Sequence, residues 1–165
     1  MIILTGASGR LGQAVGRLLT HGGRQWLAAP RELRVIWPRE ATVLIECAAG
    51  MTEQRMRERV AMLRDSRVSH YLVASSILVQ EWEQGRVKPG SKRARGASNR
   101  YWAEAYLKKA DVPSTIVHLP PLYYGIWLHS RLVMGLRSLY RGRSFWTPQS
   151  MEWAAQYLLD QGGLR

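Results

Sequence analysis

Cysteine is nearly absent from this chain: among 165 residues there is one, Cys47. An internal disulfide is thereby excluded, and a reducing compartment is the simplest setting. Acids are scarce too, 12 against 24 lysines and arginines, for a formal net charge of +12. No apolar run reaches the roughly 20 residues that a membrane-spanning helix needs. The opening segment, Met1-Ile2-Ile3-Leu4-Thr5-Gly6, has neither a basic leader nor a long apolar core, so no signal peptide is expected there. The expected location is the cytoplasm. Disorder is excluded as well, because 46% of residues are hydrophobic and only 22% are charged. The size prior favours one domain, 1–165, long enough to bury most of its apolar surface.

The basic excess is uneven. Between Gln84 and Met151 twelve lysines and arginines face two acids, Glu104 and Asp111. Such asymmetry points to an anionic partner: a phosphorylated ligand, nucleic acid or a membrane surface.

Apolar periodicity orders the chain. Met1–Thr5 reads as a first strand and Leu11–Thr20 as a helix, with Leu11, Val15, Leu18 and Leu19 on one face and Gly22-Gly23 at its end. Gln25–Ala29 reads as a second strand. Leu33–Trp37 is open between strand and irregular chain, and Pro38 stops it. Ala41–Ala49 is a continuous apolar run broken only by Glu46, the pattern of a buried parallel strand. Thr52 then caps a helix to about Arg64. Ser69–Val79 is expected as a strand, Gln84–Ser98 as a basic loop, Asn99–Ala110 as a helix and Ser114–Leu119 as a strand ended by Pro120-Pro121. Ile126–Tyr140 and Pro148–Asp160 are expected as helices. Strands alternating with helices define the fold class: an α/β, Rossmann-like, doubly wound parallel sheet with helices on both faces.

The sharpest local signal is Thr5-Gly6-Ala7-Ser8-Gly9-Arg10-Leu11-Gly12, placed between the first strand and first helix. That context is the one a dinucleotide fingerprint requires. Gly6 permits the tight turn, Gly9 lets the backbone approach a pyrophosphate, and Gly12 allows close packing of helix on strand. The helix N-terminus offers free N–H groups to the phosphates, and Ser8, Arg10 and Leu11 stand beside them. After the second strand the usual acid that holds a ribose hydroxyl is missing, and Ala28-Ala29-Pro30-Arg31 stands there instead, with Glu32 next to it as a weak competitor for the ribose role. Arg31 can accommodate a 2′-phosphate, so NADP(H) is favoured over NAD(H).

Together these residues resemble the short-chain dehydrogenase/reductase superfamily, in its extended or atypical epimerase/dehydratase-like and NmrA-like branch. Val43–Gly50 is similar to that family's fourth strand, with Ala48, Ala49 and Gly50 beside the cofactor. Tyr71–Val79 resembles the fifth strand, with Ser75 and Ser76 at its turn. Gly96–Leu107 resembles the active-site helix, and Val112–Gly125 the sixth strand with its Pro…Tyr-Gly ending. The resemblance implies a cofactor-binding core over 1–125 that also uses Pro120. It leaves a reduced substrate or interface region over 126–165.

The departures carry equal weight. Active members use a Tyr-x-x-x-Lys pair. Aligned on Gly96-Ala97-Ser98, Arg95 takes the tyrosine position and Asn99 the lysine position. Neither serves as a proton-transfer acid near neutral pH. The catalytic candidates that remain are Ser76, at the family's Ser/Thr position, Tyr101, and His118, which replaces an arginine. His118 and Ser76 also have plain structural readings. The basic 84–100 segment is set by the resemblance beside the nicotinamide end, as a site for an anionic small molecule or acidic partner, or as a solvated loop. Ile126–Arg143 either packs on the sheet or lies on an anionic membrane, and Trp127, Trp146 and Trp153 line a pocket or interface or belong to the core.

Three functions stay open: a dinucleotide-binding protein in a regulatory or accessory role, an oxidoreductase or epimerase acting on a small or anionic substrate, and a nucleic-acid or acidic-partner binder. A reduced C-terminal region also leaves apolar surface for a homodimer or a heteromeric partner. No metal site is expected.

Overall fold

The computed structural model describes residues 1–29, 37–48, 50–120 and 150–164. Its elements in chain order are β1 (Ile2–Thr5), α1 (Arg10–His21), β2 (Trp26–Ala28), β3 (Val43–Glu46), α2 (Glu53–Arg64) and β4 (His70–Ser76). Then come α3 (Leu78–Glu83), α4 (Lys92–Lys109), β5 (Ser114–Leu119) and α5 (Met151–Gln161). The strands form one parallel sheet in the order β2-β1-β3-β4-β5. The architecture is α/β and Rossmann-like. After β2 the chain crosses β1 to lay β3 on the other side, with Ile2 opposite Trp26 on one flank and Val43 on the other. Ligands of such sheets bind beyond the carboxyl ends of the strands at this reversal.

Alternation along the strands builds two cores. Leu4, Ile45 and Leu72 point to the layer of Val15 and Leu19 from α1 and Leu158 from α5. Ile3, Leu44 and Tyr71 point to the layer of Met56 from α2 and Leu107 from α4. Each fully buried Leu or Ile contributes about 1.5–3 kcal/mol, so both faces must be covered. That is why the strands read as unbroken apolar runs rather than alternating ones.

Caps set several helix starts. Thr52 accepts from Arg55 N at 3.3 Å, Ser91 from Ala94 N at 3.0 Å and Ser150 from Trp153 N at 3.1 Å. Two expectations are corrected here. The strand from Ser69 does not reach Val79: it stops at Ser76, whose Oγ accepts from Leu78 N at 3.3 Å and opens α3. The segment 84–100 is a loop only as far as Ser91, because the helix expected from Asn99 already begins at Lys92. A serine cap and a run of good helix formers outweigh the lack of an apolar stripe there. The Leu33–Trp37 question and the helix expected over Ile126–Tyr140 lie outside the described residues, save Trp37, which is in no strand. Among the described residues no helix is long and apolar enough to cross a membrane.

Candidate functional site

The turn between β1 and α1 is built on contacts that admit no side chain. Gly6 has φ +66, and a Cβ on it would lie 2.6 Å from Ala48 N, so its backbone runs against the end of β3. A Cβ on Gly12 would lie 2.1 Å from Gly6 O, so α1 rests directly on the turn. Gly9 N donates to Gly6 O at 2.8 Å and closes the loop. Gly9 is also the residue that starts α1. The helix has no side-chain cap and no acid in its first turn. Its leading N–H groups and the positive end of its dipole are therefore not neutralised by a local carboxylate.

An open cleft of about 1010 Å³ lies over this turn, along the carboxyl ends of the strands. Gly6, Ser8, Gly9, Arg10, Leu11, Ala48, Ser75, Ser76 and Pro120 all line it. Gly12 packs beneath it. Gly50 sits behind, its carbonyl accepting from Arg55 Nη1 at 3.3 Å. Arg31 and Ala49 lie outside the described residues. His118 and Tyr101 are not on the cleft wall. The ring of Tyr101 packs against Trp82 at 4.9 Å and Trp102 at 5.1 Å. Of the three catalytic candidates, only Ser76 borders the cleft.

Two charged clusters were not evident from the sequence. In the first, Glu46 is 1% exposed at the cleft floor. Its carboxylate accepts from Thr5 Oγ1, from Ala48 N at 3.3 Å, from Arg59 Nε at 3.1 Å and from Tyr71 OH at 3.5 Å. Burial, then the Glu46 charge, push the Tyr71 phenol well above its ordinary range. Desolvation and Glu46 push the neighbouring Cys47 thiol up in the same way. Neither group is an anion at neutral pH. Glu46 did stand out as the single acid in an apolar run, but its partner Arg59 is 13 residues away on another element.

The second cluster ties α4 to β4 and β5. Glu104, 3% exposed, accepts from Ser75 Oγ on one oxygen and contacts His118 Nε2 at 2.9 Å with the other. Register explains the meeting, since Ser75 and His118 are directly opposite on paired strands. His118 Nδ1 lies 3.5 Å from the Gln80 amide nitrogen. One turn before Glu104, Arg100 reaches the cleft wall and donates to Ala74 O at 3.4 Å. Asn99, aligned on the lysine position, instead lines a shallow groove with Thr52, Gln54 and Trp102. Arg95 is exposed. The cleft-facing residue of α4 is thus Arg100, and Gly96 stands one turn before it, so the cleft has no Tyr/Lys pair among the described residues.

Fold and site together define a doubly wound, Rossmann-like protein whose cleft sits on a glycine turn at the sheet's reversal point. No protein-family model matches the chain, and no curated protein sequence matches it significantly. Solved structures do share its fold. An anaerobillin reductase from Escherichia coli is 15% identical, with a TM-score of 0.67 over 98% of this chain and 89% of that one. A dTDP-4-dehydrorhamnose reductase from Clostridium acetobutylicum is 17% identical, with a TM-score of 0.64 over 96% and 69%. A short-chain dehydrogenase/reductase superfamily protein from Agrobacterium tumefaciens with bound NAD is 16% identical, with a TM-score of 0.53 over 74% and 49%. The likeness is one of fold, and the extended short-chain dehydrogenase/reductase architecture is the one that the sequence blocks resemble.

Proposed function

We propose that this protein binds a nicotinamide dinucleotide in the cleft, with the diphosphate over Gly6–Leu11. The carrying observation is the turn itself. Backbone occupies the space where side chains at Gly6 and Gly12 would sit, and α1 presents an uncapped, acid-free N-terminus to the cleft. Such a terminus suits a diphosphate. The NAD bound to one fold neighbour is in keeping with this reading. NADP(H) is the preferred form: the residues directly after β2, Ala29-Pro30-Arg31, put a base ahead of the acid Glu32, the cleft's single described acid is engaged with Arg59, and Arg31 is the candidate for the 2′-phosphate. Bound, the group would supply hydride chemistry. Calorimetry with NADPH and NADH tests the reading, and absence of binding by both refutes it.

The role is regulatory or accessory, in one cytoplasmic domain. Ser76 and Arg100, which line the cleft, do not titrate near neutral pH, which is the ground for setting ordinary acid–base turnover second. The exposed bases Arg86, Lys88, Lys92 and Arg95 then offer a surface for an acidic partner. The alternative is an oxidoreductase or epimerase, and the hydroxyls of Ser75 and Ser76 on the cleft wall favour it. Dinucleotide-dependent turnover abolished by Ser76→Ala would establish that alternative.

A further inference from the structure

The geometry points to Arg100 as an oxyanion receptor at the β4–β5 end of the cleft, for a carboxylate or phosphate on a second ligand beside the dinucleotide. The inference rests on the dinucleotide reading for the occupant of the glycine-turn end.

Arg100 is half-buried on the cleft-facing side of α4, and loss of water lowers its pKa, with the Glu104 charge opposing that shift. A guanidinium carries five N–H donors. Among the described residues Arg100 makes one hydrogen bond, the 3.4 Å contact to Ala74 O. Glu104 acts on Arg100 through its charge and not through a hydrogen bond, its carboxylate being bonded to Ser75 and His118. A desolvated cation with donors that the described residues do not take up, facing the cleft, is matched by an anion. The planar fork suits the two oxygens of a carboxylate or phosphate.

A neighbour and the charge of the cleft support this. Ser76 lines the same wall, and its Oγ accepts from Leu78 N, which leaves its O–H to donate. The cleft is also over-supplied with positive charge. Arg10, Arg55, Arg59 and Arg100 border it, against Glu46 alone among the described acids. The Glu104 network sets the position of Arg100 by fixing α4 on β4 and β5. Ser75, Glu104 and His118 are positioning residues in this scheme.

The test uses NADPH-saturated protein titrated with malonate and, separately, with inorganic phosphate. Binding is followed by calorimetry and by the Arg100 Nε–H resonance in nitrogen-15-labelled protein. The expected result is that an anion shifts that resonance and that R100Q weakens anion binding at least about tenfold, a loss far larger than any change in NADPH affinity. R100K, which keeps charge but not the fork, should fall between R100Q and wild type. Preference for malonate assigns a carboxylate ligand, and preference for phosphate a phosphorylated one. Anion binding unchanged in R100Q overturns the proposal. So does an NADPH loss as large as the anion loss, which would make Arg100 a dinucleotide residue. If NADPH does not bind at all, the dinucleotide reading falls alone, and the Arg100 resonance in unliganded protein titrated with malonate decides this one. Should R100Q fail to fold, R100K and S76A carry the same comparison.

Discussion

Replacing Gly9 by aspartate separates the stability of α1 from its use as an anion site. Gly9 has φ −76 and ψ 160, an extended conformation open to any residue. Aspartate is a better N-cap than glycine by a few tenths of a kcal/mol, and its charge gains about 0.3–1 kcal/mol from the helix dipole. Against this, the new Cβ would lie 3.1 Å from Gly6 O, a tight contact that asks the turn to give slightly. The melting temperature should therefore stay close to wild type. The ligand meets the opposite balance. A carboxylate at ~5 Å from a phosphate costs about 3 kcal/mol at an effective dielectric of ~20. Salt screens part of the sum over two phosphates, leaving roughly 2–4 kcal/mol, or about 30- to 1000-fold in affinity. Calorimetry with NADPH at low salt, alongside thermal melts, measures both effects. Gly9→Asn gives the cap without the charge and should lose far less. If G9D folds normally and binds NADPH within about threefold of wild type, the diphosphate does not sit at this terminus.

Three further outcomes follow from the clusters around the cleft. Glu46→Ala strands Arg59, whose side chain is 11% exposed, and should destabilise the fold by about 3–5 kcal/mol in urea titration; a loss under about 1 kcal/mol would mean that the pair is not buried as described. Tyr71 has a folded pKa raised above its unfolded value, so its contribution to stability is intact below about pH 10 and is lost as pH rises beyond it. Tyr71→Phe should remove part of that alkaline loss, and an unchanged alkaline slope would contradict the raised phenol. Cys47, with its thiol pushed up by desolvation and Glu46, should react with iodoacetamide at pH 8 much more slowly than a free thiol does, as read by mass spectrometry.

Backbone demands were the most legible part of the sequence. Gly6, Gly9 and Gly12 are spaced by what a turn and a close helix require, and Thr52 announces α2 by the hydrogen bond it makes. The reversal of strand order was implied by the alternation of strands and helices. The start of α4 was hidden because its first turns carry Lys92, Arg93 and Arg95 around small Ala94 and Ala97, a helix without an apolar stripe. The end of β4 was hidden because Ile77, Leu78 and Val79 extend an apolar run that the chain uses to turn. Side-chain pairing across elements was least legible. Whether Asn99 or Arg100 reaches the cleft is one residue in sequence but about 100° around the helix. The Glu104–His118 meeting depends on strand register that no local pattern encodes.

The arginines that border the cleft come from three separate helices: Arg10 from α1, Arg55 and Arg59 from α2, and Arg100 from α4. Their shared orientation has a kinetic consequence. Low-dielectric walls focus the field of converging like charges and raise the local concentration of counter-ions at the mouth of a cleft. An anionic ligand is drawn toward the strand ends before any specific contact forms. Its arrival rate should fall as salt shortens the reach of that field, while dissociation, governed by the hydrogen bonds of the turn, changes far less.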